Sequence, residues 1–203
     1  MRTLFLVLIV SLNCGAAKDD FSTYINFASD KKLDMNSRWQ ALIKAAGNAS
    51  GDQVGEIKKF SSSEEWYMRN ASLVALAKIN PAAAMVEAKK LIQDKALVVR
   101  SAAVDVVAKD LTQDNKDLLL AEFNQHYNFN KKSSLWIRKQ IVERISESAG
   151  FSDRGFFAKN LFDTDSEVAE LSARALEKIS GESMSGTRSV EKWQIIAKDK
   201  NWL

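Results

Sequence analysis

The chain has 203 residues, 46% hydrophobic and 27% charged, a balance that fits one folding domain and excludes a disordered or low-complexity protein. Its 29 Lys and Arg against 26 Asp and Glu leave a formal charge of +3, too slight and too evenly spread for a nucleic-acid or anionic-membrane footprint. One histidine excludes a multi-histidine metal site, and one cysteine excludes an internal disulfide.

The first residues, MRTLFLVLIVSLNCGAAKDD, set one cation before an apolar run from Leu4 to Leu12 that only Ser11 interrupts; small residues and then charges follow. This is the pattern of an export signal. The run is shorter than the roughly 20 residues that span a bilayer. Cleavage after Ala17, with Gly15 and Ala17 as the small residues at the cut, is expected to remove residues 1–17 as a signal peptide and leave 18–203 as a single domain. Cys14 is a candidate lipidation site because it stands where a bacterial lipoprotein is acylated, although Asn13 is larger than the residue that pattern wants before it. The expected location is periplasmic if the source is bacterial, or membrane-anchored if Cys14 carries lipid. In another organism the same signal would mean secretion.

Further along, Phe21, Tyr24, Ile25 and Ala28 predict a short first helix, and Met35, Trp39, Leu42, Ile43 and Ala46 a second that ends near Gly47. A weaker pattern at Val54, Ile57 and Phe60 precedes a strong one at Met68, Ala71, Ser72, Ala75, Leu76 and Ile79. Asn80 then reads as an N-cap before Pro81, opening a helix with Met85, Ala88, Leu91 and Ile92. Val99, Ala102, Ala103, Val106 and Val107 form the next strong face, and Leu119, Phe123 and Tyr127 the next weak one. Ile137, Ile141 and Ile145 continue the series with polar interruptions at Gln140 and Arg144. Phe157, Leu161 and Phe162 precede Val168, Leu171, Ser172, Ala175, Leu176 and Ile179, with Gly150 and Gly181 near helix ends and a last short helix over 190–197. No stretch alternates with period two for long enough to predict a strand.

The strong faces begin at residues 35, 68, 99, 137 and 168, separated by 33, 31, 38 and 31 residues, with a weaker helix before each. One such pair cannot bury its apolar face alone, so the copies are expected to stack on a shared core. The prediction is an all-α fold, a right-handed α-solenoid of about five helix pairs near 20–47, 50–80, 81–110, 114–149 and 152–180, closed by a C-terminal helix over 187–199. The 38-residue interval exceeds its neighbours by the length of NFNKKSS, residues 128–134, which is expected to be a lengthened loop.

Arg69, Arg100 and Arg138 each lie one residue after the origin of their unit. Asn36 and Ala169 hold that place in the end units. A register with Arg38 in the series is set aside, because it would bury Lys44 and leave Trp39 and Leu42 outside the face. The stretches MRNASLVALAKI, VVRSAAVDVVAK and VAELSARALEKI resemble the second helix of HEAT repeats, and the resemblance covers most of residues 33–180. It implies that second helices line a concave face and that the arginines form a ladder with acidic residues of the preceding turn. Asp94, Glu64 and Glu65 suit that role, whereas no acidic residue stands so before Arg138. Two roles fit these arginines: packing repeat on repeat with paired carboxylates, which the pattern favours, or a cationic strip for an acidic partner.

No catalytic set emerges. His126 has no nucleophile to activate once Cys14 is removed and reads as a helix-end residue beside Tyr127. Acidic pairs such as Glu64 and Glu65 or Asp163 and Asp165 sit at helix starts, where negative charge suits the dipole. Trp66 and Trp136 are expected to pack on the partner helix of their own unit. The expectation is a non-enzymatic scaffold without cofactor that binds a protein or peptide partner on the concave face. Its surface would centre on Arg69, Arg100 and Arg138, extended by Phe129, Lys131 and Lys132 of the insertion; the alternative is an enzyme or cofactor-handling site around His126, Tyr127 and Trp136.

Overall fold

A computed structural model describes residues 19–182 and 189–203. The export signal, Cys14 and the first two residues of the expected C-terminal helix lie outside the described residues. Those described form eleven α-helices, four single 3-10 turns and one two-stranded hairpin, so the protein is all-α. The helices are α1 (Asp19–Ser29), α2 (Met35–Gly47), α3 (Val54–Lys59), α4 (Trp66–Ile79), α5 (Pro81–Leu91), α6 (Leu97–Val107), α7 (Gln113–Phe123), α8 (Trp136–Glu147), α9 (Arg154–Asn160), α10 (Ser166–Ser180) and α11 (Ser189–Asp199). None is long and apolar enough to cross a membrane.

The even-numbered helices α2 to α10 form a continuous row, each meeting the next backbone to backbone. The odd-numbered helices α1 to α9 pack against their even-numbered successors and approach one another far less closely. Side chains explain the arrangement. Counted from the arginine of each even helix, or from Ala169 in α10, the fourth position holds Leu42, Leu73, Val104, Val142 and Ala173, and the seventh Ala45, Leu76, Val107, Ile145 and Leu176, all buried. The third position is small in four of the five, and at Ser72 the hydroxyl donates to the Ile57 carbonyl of α3 at 2.8 Å. A bulkier side chain there would hold the paired helix away.

This register includes Arg38, 31 residues before Arg69, and so corrects the origin expected at Met35. Met35 is 49% exposed, whereas Arg38 and Leu42 are buried together and Lys44 points to solvent. The physical reason is position in the row. As its first member, α2 meets an even-numbered helix on one side only, and Ser37, Gln40 and Lys44 are exposed where Met68, Ala71 and Ala75 are buried in α4.

Local signals fix the ends. Asp34 caps α2 by accepting from the Asn36 and Ser37 amides at 2.9 and 3.0 Å, and Asn80 caps α5 ahead of Pro81 by accepting from the Ala83 amide at 2.9 Å. Gly181 closes α10 in the left-handed conformation, φ +72°. The insertion is a hairpin rather than a plain loop: β1 (Phe129–Asn130) pairs antiparallel with β2 (Ser133–Ser134), and Lys131 turns at φ 59°. It is too short for a period-two pattern to be visible. At the far end, α11 buries Trp193 completely and stacks it on Trp202, with ring centroids 6.3 Å apart.

Candidate functional site

Arg69 donates through Nε and Nη2 to the two Asp94 oxygens at 2.6 and 2.7 Å, and through Nη1 to the Ser63 and Glu64 carbonyls. Arg138 holds both Asp163 oxygens through Nη1 and Nη2, at 3.1 and 2.6 Å, with its guanidinium over the rings of Phe123 and Phe129. Arg38 reaches Glu65 at 2.7 Å and the Tyr67 hydroxyl at 2.6 Å. Each carboxylate therefore comes from the turn before the following even helix, whereas the preceding turn offers Arg69 backbone carbonyls. Arg138, expected to lack an acidic partner, has one 25 residues downstream.

Arg100 is the exception. Its Nε donates to the Asn128 amide oxygen at 3.2 Å, and the Asn128 nitrogen donates on to the Glu122 carboxylate at 3.0 Å. The rung is relayed rather than missing. Tyr127 also donates to Glu122, at 2.7 Å, and offers its carbonyl to Arg100 Nη2 at 3.1 Å. Burial pushes the Glu122 carboxyl above the usual carboxylate range, despite the hydrogen bonds from Tyr127 and Asn128 and the charge of Arg100. Burial and the same carboxylate push the Tyr127 hydroxyl far above its ordinary value.

A folded-state carboxyl raised above its unfolded value of about 4.3 contributes most to stability below that pH, and the contribution falls as pH rises through the folded value. The stability advantage of the native chain over Glu122→Gln should therefore shrink as pH rises above about 4 in urea unfolding. An advantage that grows with pH would show that the charged form is the one the site favours.

With side chains at most 8% exposed, Arg69 and Arg138 are buried in their ion pairs; Arg100, a residue 3% exposed, is buried in its relay. They do not present free guanidinium groups. Lys131 and Lys132 are exposed at the hairpin turn, while Phe129 is half-buried over Arg138. His126 is exposed and meets Tyr127 edge to face at 5.2 Å. Trp136, at the start of α8, is 44% exposed, and Trp66 is 43% exposed. Each keeps a large exposed fraction because it sits at the first helical residue, ahead of the buried face. Among the described residues, no group of three or more His, Cys, Asp or Glu could hold a metal ion.

Outward of the arginines, the exposed face of the even helices changes character along the row. The residue after each arginine position is Trp39, Asn70, Ser101, Lys139 and then Glu170; five after, it is Ile43, Val74, Asp105, Glu143 and Arg174. Two clefts follow. A cleft of about 530 Å³ between α6, α8 and α10 is charged, with Trp136, Lys139, Glu143, Glu170 and Arg174 around it. Within it Gln140 donates to the Ser101 carbonyl at 3.1 Å, and Lys139 is ion-paired to Glu167.

The other cleft, about 480 Å³, crosses α4, α6 and α8. Leu73, Val74 and Ala77 from α4 and Ala102 and Val106 from α6 make an apolar floor. Arg144 and Glu147 of α8 form the far wall, where Arg144 donates to Asp105 at 2.9 Å and to Glu147 at 2.6 Å. Lys78 and Lys109 close the near end. Ala77 and Ala102 contribute only methyl groups to this floor. A sequence pattern registers such alanines only as helix formers. No family model matches the chain, and no curated protein matches it either.

Proposed function

We propose that the chain is a right-handed α-solenoid of five HEAT-like helix pairs that binds a protein partner on the face of its even-numbered helices. The close approach of successive even helices, beside the wider separation of the odd ones, supports a stack curved with the even helices inside. The observation that carries the binding role is the apolar-floored cleft shared by three successive helices, since an open apolar trough ringed by polar groups is how protein surfaces take up a peptide or helix. The arginines act as the structural ladder beneath it, so the binding surface shifts from the guanidinium groups to the residues outward of them.

The amino-terminal run supports export, by release after Ala17 or anchoring through Cys14, and the intact mass of the natural chain separates the two: a lipid-free chain beginning at Lys18 excludes the anchor. Affinity capture from extracts of the source cells tests the scaffold. Partners retained by the native chain should be lost on Ala102→Trp, which fills the cleft without changing charge, while the helical circular-dichroism spectrum is kept. Identical proteins retained by both would overturn this binding face.

A further inference from the structure

We infer that the cleft across α4, α6 and α8 takes a short acidic segment of a partner protein, with apolar side chains on the floor and a carboxylate between Lys78 and Lys109. This rests on the reading that the even-helix face binds a protein. At the far wall Arg144 is committed to Asp105 and Glu147 and offers no free cation. Lys78 and Lys109 differ. Both are exposed, both line the cleft, and among the described residues neither ammonium has an ion-pair partner. They hold the same register position, nine after Arg69 and Arg100, Lys78 in the last turn of α4 and Lys109 in the turn that follows α6.

Helix-end lysines are favoured by the dipole without any ligand. Here they also edge an apolar floor, and that changes the requirement on an occupant. A neutral segment covering the cleft would strip water from two ammonium groups and return nothing, whereas a carboxylate restores the lost solvation as an ion pair. A basic segment would add repulsion.

A second lobe gives the segment a direction. Ala77, Val106 and Lys109 also line a neighbouring cavity of about 450 Å³, whose other walls are Pro81, Ala82, Ala84, Met85 and Asp110. The apolar trough therefore runs from the even-helix face around the α4–α5 corner. Asp110 disfavours a second carboxylate at that end, so the acidic residue faces Lys78 and Lys109 and the apolar residues extend toward Met85.

The test uses a phage-displayed library of random 12-residue peptides panned on the purified chain, with Ala102→Trp as counter-target. Enriched peptides should combine Asp or Glu with large apolar residues. Their affinity should fall at least tenfold on Lys78→Glu/Lys109→Glu and weaken in high salt, while Lys31→Glu/Lys32→Glu, an equal charge change in the exposed turn between α1 and α2, leaves it unchanged. Peptides that need the open cleft but bind the Lys78→Glu/Lys109→Glu variant as tightly would overturn the acidic inference and leave the binding face standing. Equal losses in both double variants would reduce the effect to net charge and overturn it too. If no enriched peptide discriminates against Ala102→Trp, the inference and the binding face both fall.

Discussion

Arg138→Ala is expected to lower the stability of the folded chain by about 3–5 kcal/mol at pH 7 in urea unfolding, the range for removing one partner of a buried ion pair. The guanidinium is 3% exposed and its Asp163 partner 11%, so truncation leaves a carboxylate with little water to replace the lost bonds. It also uncovers the rings of Phe123 and Phe129, which lie 4.2 and 4.5 Å from the guanidinium carbon. Burial raises the Asp163 carboxyl, but the hydrogen bonds from Arg138 and the Asp165 amide outweigh it and hold the group below its ordinary value. A depressed carboxyl contributes stability above its unfolded value, about 3.9, and loses it as pH falls through the folded one. The gap between native chain and variant should therefore narrow below about pH 4. Lys139→Ala, which breaks a more exposed pair with Glu167, should cost far less. Equal losses at Arg138 and Lys139 would mean that the ladder is solvated.

The second large effect is expected at Leu76, fully buried in α4. Leu76→Ala should cost about 2–5 kcal/mol, from lost burial and the cavity left behind. Lys131→Ala should change stability by no more than about 0.5 kcal/mol, because Lys131 is exposed and alanine has the same Cβ at that positive φ. Similar losses at both would put Leu76 outside the core.

These two positions also mark what the sequence makes legible. Leu76, Val107, Ile145 and Leu176 recur at one offset because a helix between two neighbours must be apolar there on every copy. The same logic misleads at α2: with one such neighbour, it carries Ser37, Gln40 and Lys44 at offsets buried elsewhere, so counting apolar residues picks Met35 instead of Arg38. The ladder's acids are visible too, though only downstream, since Glu65, Asp94 and Asp163 follow their arginines by 27, 25 and 25 residues. The relay through Asn128 is not, because an amide between a cation and a carboxylate leaves no charge pattern. Nor is the cleft, which depends on how far apart three helices stand rather than on any residue type.

The ladder has a consequence for the order in which the chain becomes available. A ribosome delivers α4 before the turn that holds Asp94, and α8 before the turn that holds Asp163, so each guanidinium is made 25 residues ahead of its carboxylate. Until that turn arrives, Arg69 has only backbone carbonyls of its own unit for company. Every unit but the last is thus completed by its successor, and a nascent chain stopped between units ends on an unsatisfied cation. Ala169 fits this ordering: α10 is the last even helix among the described residues, and its ladder position holds no arginine.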